Sequence, residues 1–75
     1  MEVYKNRGGD SGVVGYEISP GAITVQFADG AAYLYTTQSA GATNLAQMQR
    51  LANAGSGLNS FIKRVVKKGY AKRLR

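Results

Sequence analysis

The chain contains no cysteine, no histidine and no tryptophan, one proline, and only four acidic residues among 75. Each shortage closes off a class of function. Without cysteine there is no disulfide framework, no thiolate nucleophile and no sulfur-ligated metal. Without histidine the chain lacks the commonest general base and the commonest zinc ligand. Long apolar runs are missing too: none approaches the roughly 18 residues that span a bilayer. The opening MEVYKNRGG has no apolar h-region of the secretory kind. A soluble, cytoplasmic protein is the default expectation.

Large apolar side chains are also few. A chain of this length makes one domain and buries only about 60 to 65% of its unfolded surface. With two Phe and five Tyr, nearly every large side chain is needed inside.

What the chain does have is positive charge, unevenly spread. Residues 1–29 hold all four acids (Glu2, Asp10, Glu17, Asp29) against Lys5 and Arg7, a net of −2. Residues 30–75 hold eight cations and no acid, and the whole chain carries +6. Seven of the cations lie between Lys63 and Arg75. Asymmetry of this kind points to a polyanionic partner. The bland alternative is that a net charge of +6 only keeps a small domain soluble.

Residues 1–12 read as a flexible N-terminal segment, loosest at Gly8–Gly12, with Glu2 to Lys5 a candidate short edge strand. From Val13 the pattern has period two. Val14, Tyr16 and Ile18 alternate with Val13, Gly15 and Glu17, and Ser19-Pro20-Gly21 marks a turn. Ile23, Val25 and Phe27 alternate with Thr24 and Gln26, Asp29-Gly30 is a hairpin signal, and Ala31–Thr36 forms a third strand. Thr37–Gly41 reads as a polar loop. A first helix is expected near Thr43–Ala54, stopped by Gly55. A second, capped by Ser56, runs to about Lys68, and Gly69 ends it. At about 100° per residue, Leu58, Phe61, Ile62, Val65 and Val66 share its apolar face. Lys63 and Lys67 then line up with Asn59, and Arg64 and Lys68 with Ser60. Tyr70–Arg75 is a basic tail. The expected fold is α+β: a three-stranded antiparallel meander, Val13–Ser19, Ala22–Ala28 and Ala31–Thr36, followed by two helices packed on one sheet face.

The direction of Tyr33 and Tyr35 depends on the turn at Asp29-Gly30. A two-residue turn pairs Tyr33 with Gln26 and Tyr35 with Thr24, on the polar face. A three-residue loop with a bulge at Gly30 pairs Tyr33 with Val25 and Tyr35 with Ile23, on the core face. One residue of register exchanges the faces. Burial is the preferred reading, because Leu34 is a poor substitute for two rings in a core short of bulk.

Several enzymatic readings fail. Gly9-Asp10-Ser11-Gly12 matches the string around a serine-protease nucleophile, but no histidine is present to act as base. Paired carboxylates, a metal cluster and an activated nucleophile are absent, so no catalysis, metal or cofactor is expected. Gly55-Ser56-Gly57 before a helix lacks the spacing and the Lys-Ser/Thr of a phosphate-binding loop. Membrane-surface binding would need the apolar helix face to be free, and a domain this small has none to spare.

The chain resembles the KTSC domain, a short module at the C-terminus of some lysyl-tRNA synthetases and also a stand-alone bacterial protein. The similarity runs from about Val13 to Leu74. It rests on Val14-Gly15-Tyr16, on Phe27 with Gly30, and on Tyr33-Leu34-Tyr35, which is similar to a central Tyr-x-Tyr motif. Ala54, Ser56-Gly57, Asn59 and Ile62, followed by a basic end with Tyr70, complete it. The segment after Tyr35 lacks the family's Val-Pro, the Gly57-to-Asn59 spacing is compressed, and Leu34 is apolar where a polar residue is usual. RNA binding has been suggested for that family. The resemblance thus implies RNA, or another polyanion, as the partner. The candidate contacts are Lys63, Arg64, Lys67, Lys68, Lys72, Arg73 and Arg75, with Tyr33, Tyr35 and Tyr70 as candidate base-stacking side chains. The alternative is a small protein-interaction or accessory domain with an unknown partner.

Overall fold

A computed structural model describes residues 1–7 and 12–75 of the chain. The expected meander is present as β2 (Val13–Ser19), β3 (Ala22–Phe27) and β4 (Ala32–Thr36), but the sheet is wider than three strands. β1 (Glu2–Val3) adds to one edge and β5 (Lys72–Arg73) to the other, giving five antiparallel strands in the order β1-β2-β3-β4-β5. Two-residue edge strands carry almost no propensity signal of their own. They form because a longer neighbour presents an unpaired row of backbone groups. The class is α+β, with helices packed on an antiparallel sheet.

The turn chemistry is as the residues dictate. Pro20-Gly21 joins β2 to β3, and Gly21 takes a φ of 69°, the left-handed conformation that a type II turn requires. Between β3 and β4 the loop is Ala28-Asp29-Gly30. The Phe27 N–H donates to the Ala31 carbonyl at 2.8 Å, and Gly30 sits at a φ of 93°. Asp29 Oδ1 accepts the Ala31 N–H at 2.9 Å and stiffens the turn. The bulged register follows: Val25 pairs with Tyr33 and Ile23 with Tyr35. Both tyrosines lie on the core face.

The helical half departs more from expectation. Thr37–Ala40, expected as polar loop, forms a short helix α1, because Thr36 and Ser39 make a reciprocal capping box. α2 (Ala42–Ala54) buries Leu45, Met48 and Ala52 and stops at Gly55, in left-handed conformation with a φ of 76°. The next helix does not begin at Ser56. Gly57 holds the cap position, α3 covers only Leu58–Phe61, and Ile62–Val66 continues as π-helix. The wider turn closes through the Lys67 N–H to the Ile62 carbonyl at 2.5 Å. Each residue then advances by less than in an α-helix, so Val66 keeps its place in the core while Val65 turns out of it. Val65, expected inside, is 49% exposed. Lys67 and Lys68 lie beyond this helix, and Lys67 has a φ of 53°.

The described part of the N-terminal segment belongs to the domain. Tyr4 is 3% exposed in the core. Its hydroxyl accepts the Leu58 N–H at 3.2 Å, satisfying a donor at the start of α3 that the helix itself cannot pair. Arg7 crosses the C-terminus of α2: its N–H bonds the Gly55 carbonyl at 2.7 Å and its Nε the Ala54 carbonyl at 2.9 Å. A cation is favoured at that end of a helix dipole. The expected flexibility of Gly8–Ser11 falls outside the described residues.

The core joins Val13, Tyr16, Ile23, Val25 and Tyr35 of the sheet to Leu45, Met48, Leu58, Ile62 and Val66 of the helices. Tyr35 is 2% exposed, whereas Tyr33 is half-buried. Tyr35→Ala is therefore expected to cost about 3 to 5 kcal/mol in urea denaturation, the range for a large aromatic truncated in a core. Tyr33→Ala should cost measurably less. Equal costs would contradict the difference in burial.

Gly55 offers a second test. A Cβ there would lie 2.5 Å from Lys5 Cβ, because the N-terminal segment passes directly over it. Gly55→Ala should lose at least about 1 to 2 kcal/mol from its left-handed backbone alone. A double-mutant cycle with Lys5→Gly should recover the part due to the clash.

Candidate nucleic-acid interface

All seven candidate cations are exposed, but they do not share one face. Lys63 and Arg64 project from the π-helical segment, and Lys67 and Lys68 follow it. The expected tail is instead paired to β4. The Ala71 N–H donates to the Leu34 carbonyl and the Leu74 N–H to the Ala32 carbonyl, each at 2.6 Å. Lys72 pairs with Leu34 and Arg73 with Tyr33. Successive strand residues point to opposite faces, so Arg73 stands on the helix side of the sheet and Lys72 on the other. Among the described residues, none of the seven pairs with an Asp or Glu side chain, and the Arg73 Nε–H donates to the Arg75 main-chain oxygen at 2.5 Å.

The sheet order converts the sequence asymmetry into a spatial one. Glu2 and Glu17 sit on β1 and β2 at one edge, and Lys72 and Arg73 on β5 at the other. Lys63 faces the β3–β4 turn, beside Phe27 and Tyr33. The described acids of the first two strands are thus remote from the cations.

The three candidate stacking tyrosines form one cluster on the core side. Tyr33 meets Tyr70 at 4.6 Å between ring centroids and Phe27 at 5.7 Å, edge to face. Tyr35 meets Tyr70 at 6.2 Å, with the rings nearly perpendicular. The Arg73 guanidinium lies 5.7 Å from the Tyr33 ring centre, a cation–π arrangement. Tyr35 is closed off beneath this layer and offers no surface to a ligand, while Tyr33 and Tyr70 remain partly open.

A cleft of about 400 Å³ opens beside this cluster, lined by Phe27, Ala28, Ala31, Tyr33, Asn59 and Lys63 among others. Asn59 is its unusual feature. The carboxamide makes no hydrogen bond, and its Oδ1 is buried. A buried acceptor left unpaired costs about 1 to 3 kcal/mol. The sequence aligned Asn59 with Lys63 on a polar helix flank, placed Phe27 in a strand, and gave both only as residues of the family resemblance. That Phe27 meets them as a wall follows from the fold alone. Among the described residues no group of three His, Cys, Asp or Glu could hold a metal, and no helix is long and apolar enough to cross a membrane.

Burial pushes the Tyr35 phenol up from 10.0 to about 12, with the Tyr33 and Tyr70 phenols adding to the effect. The folded state thus holds this proton more tightly than the unfolded chain. The corresponding stability is complete below pH 10.0 and is lost as pH rises towards about 12. Urea midpoints should fall across that interval in the wild type, and Tyr35→Phe should flatten the fall. An equal fall in both would place the titration elsewhere.

No protein-family model matches the chain, and neither a curated protein nor a solved structure matches it.

Proposed function

We propose that the chain is a small, non-catalytic RNA-binding module that engages phosphates through the end of its last helix and its β5 edge. The observation that carries this reading is seven exposed cations, from Lys63 to Arg75, none of them paired with an Asp or Glu side chain among the described residues. Lys63, Arg64, Lys67 and Lys68 supply the helix part of this surface, and Lys72, Arg73 and Arg75 the strand part. Such a surface displaces counterions from a polyanion, so it binds with little sequence preference and a strong dependence on salt. The resemblance to the KTSC domain favours RNA within that class. Part of the charge has a local explanation, since Lys67 and Lys68 follow a helix C-terminus, where cations are favoured. Arg73 packs over the Tyr33 ring and donates to the Arg75 oxygen, whereas Lys72 and Arg75 have no such explanation.

Titration with tRNA, single-stranded RNA and duplex DNA tests the reading. Binding with Kd of about 10⁻⁴ to 10⁻⁶ M at physiological salt is expected. Lys63→Gln and Lys67→Gln should each weaken all RNA sequences about equally and lower the salt slope by about one. Helix content should stay the same, because both side chains are exposed. Absence of RNA binding at low salt would favour the accessory-domain reading, in which the charge serves solubility alone.

A further inference from the structure

We propose that the cleft between the β3–β4 turn and the π-helical segment receives one unstacked base of a single-stranded RNA, with Asn59 pairing its edge and Lys63 meeting the adjacent phosphate. This rests on the RNA reading above and names where that RNA is touched by something other than charge.

The cleft, about 400 Å³, falls in the size range of small-ligand sites. Its apolar walls include the Phe27 and Tyr33 side chains, which are set edge to face at 5.7 Å and only partly buried. Its polar groups are Asn59, Lys63 and Asp29. One oxygen of Asp29 is committed to the turn through the Ala31 N–H. Lys63 has no carboxylate partner and Asn59 has no hydrogen bond.

Those groups select a ligand class. A carboxamide offers an acceptor and a donor side by side, the complement of a base edge that presents both, as adenine does. Aromatic walls take the flat face of a base splayed out of a single strand. A simple anion would use Lys63 and leave the two rings and Asn59 idle. A purely apolar ligand would leave Asn59 unpaired. A nucleotide uses the two rings, Asn59 and Lys63 and leaves only Asp29, which the turn holds, unengaged. Arg73, over the Tyr33 ring, supplies a second cation for the flanking backbone. Gly12 lies over Asn59 Oδ1: a Cβ there would come to 3.6 Å from it. Rotation of the carboxamide about its terminal torsion, a soft coordinate, turns its edge to the base.

The test compares a short oligoadenylate with an abasic ribose–phosphate oligomer of the same length, titrated into the full chain at fixed low salt with fluorescence anisotropy. The oligoadenylate should bind about 5- to 100-fold more tightly, the gain expected from one stacked base. Backbone amide shifts should move at Phe27, Tyr33 and Asn59. Asn59→Leu should reduce the difference by the share owed to pairing of the base edge, without altering the salt slope. Its thermal midpoint should not fall, since the carboxamide contributes no internal hydrogen bond. Equal affinity for the two oligomers in the wild type would overturn the base site and leave the phosphate-binding reading intact. Retention of the full difference in Asn59→Leu would overturn it as well. Failure of both oligomers to bind would remove the RNA reading and this inference together.

Discussion

The structure depends first on the register of one hairpin. Gly30, at a φ of 93°, lets the β3–β4 loop take three residues, and that choice places Tyr33 and Tyr35 opposite Val25 and Ile23. The core has few other large side chains to use. Tyr35 fills its centre, and Tyr33 with Tyr70 closes its rim. A slip of one residue would put Leu34 inside and two rings outside, leaving α2 and α3 little to pack against. The same register decides the neighbour of β5. With Tyr33 on the core face, Arg73 can lie over its ring, which draws the basic C-terminus onto the sheet edge.

A second constraint is the way each end of the chain is used. The segment after the N-terminal strand caps the helices: Tyr4 takes the Leu58 N–H, and Arg7 donates to carbonyls at the end of α2. The C-terminal strand completes the opposite edge of the sheet. The acids of β1 and β2 and the cations of β5 thus lie at opposite edges. A chain with scattered charges on the same scaffold would have no such polarity. Here the antiparallel order preserves in space the separation present along the sequence.

The cleft beside Asn59 exists because three separate choices meet there. The bulged turn brings Phe27 and Tyr33 to its wall, the π-helical widening sets the course of the chain past Lys63, and Gly12 borders the carboxamide. A buried, unpaired acceptor is a local conflict in an otherwise consistent core, and such conflicts concentrate where a protein does something besides fold.

Strong periodicity made β2, β3, β4 and α2 legible from the residues alone, and the bulk shortage favoured the tyrosine burial that the structure has. The basic cluster was equally plain, since charge needs no fold to be counted. Other features belonged to tertiary structure. Two-residue strands carry no period: β1 falls within the candidate edge strand Glu2 to Lys5, whereas β5 exists only because the β4 edge offers hydrogen bonds. A π-helical turn has no distinct sequence pattern, so Val65 left the apolar face that it was expected to share with Val66. The single basic face expected of Lys63 to Arg75 was divided for the same reason: once Lys72 and Arg73 joined a strand, the pleat turned them apart. Local alternation and charge are properties of neighbours in sequence, whereas edges, clefts and the direction of a tail are set by residues far apart along the chain.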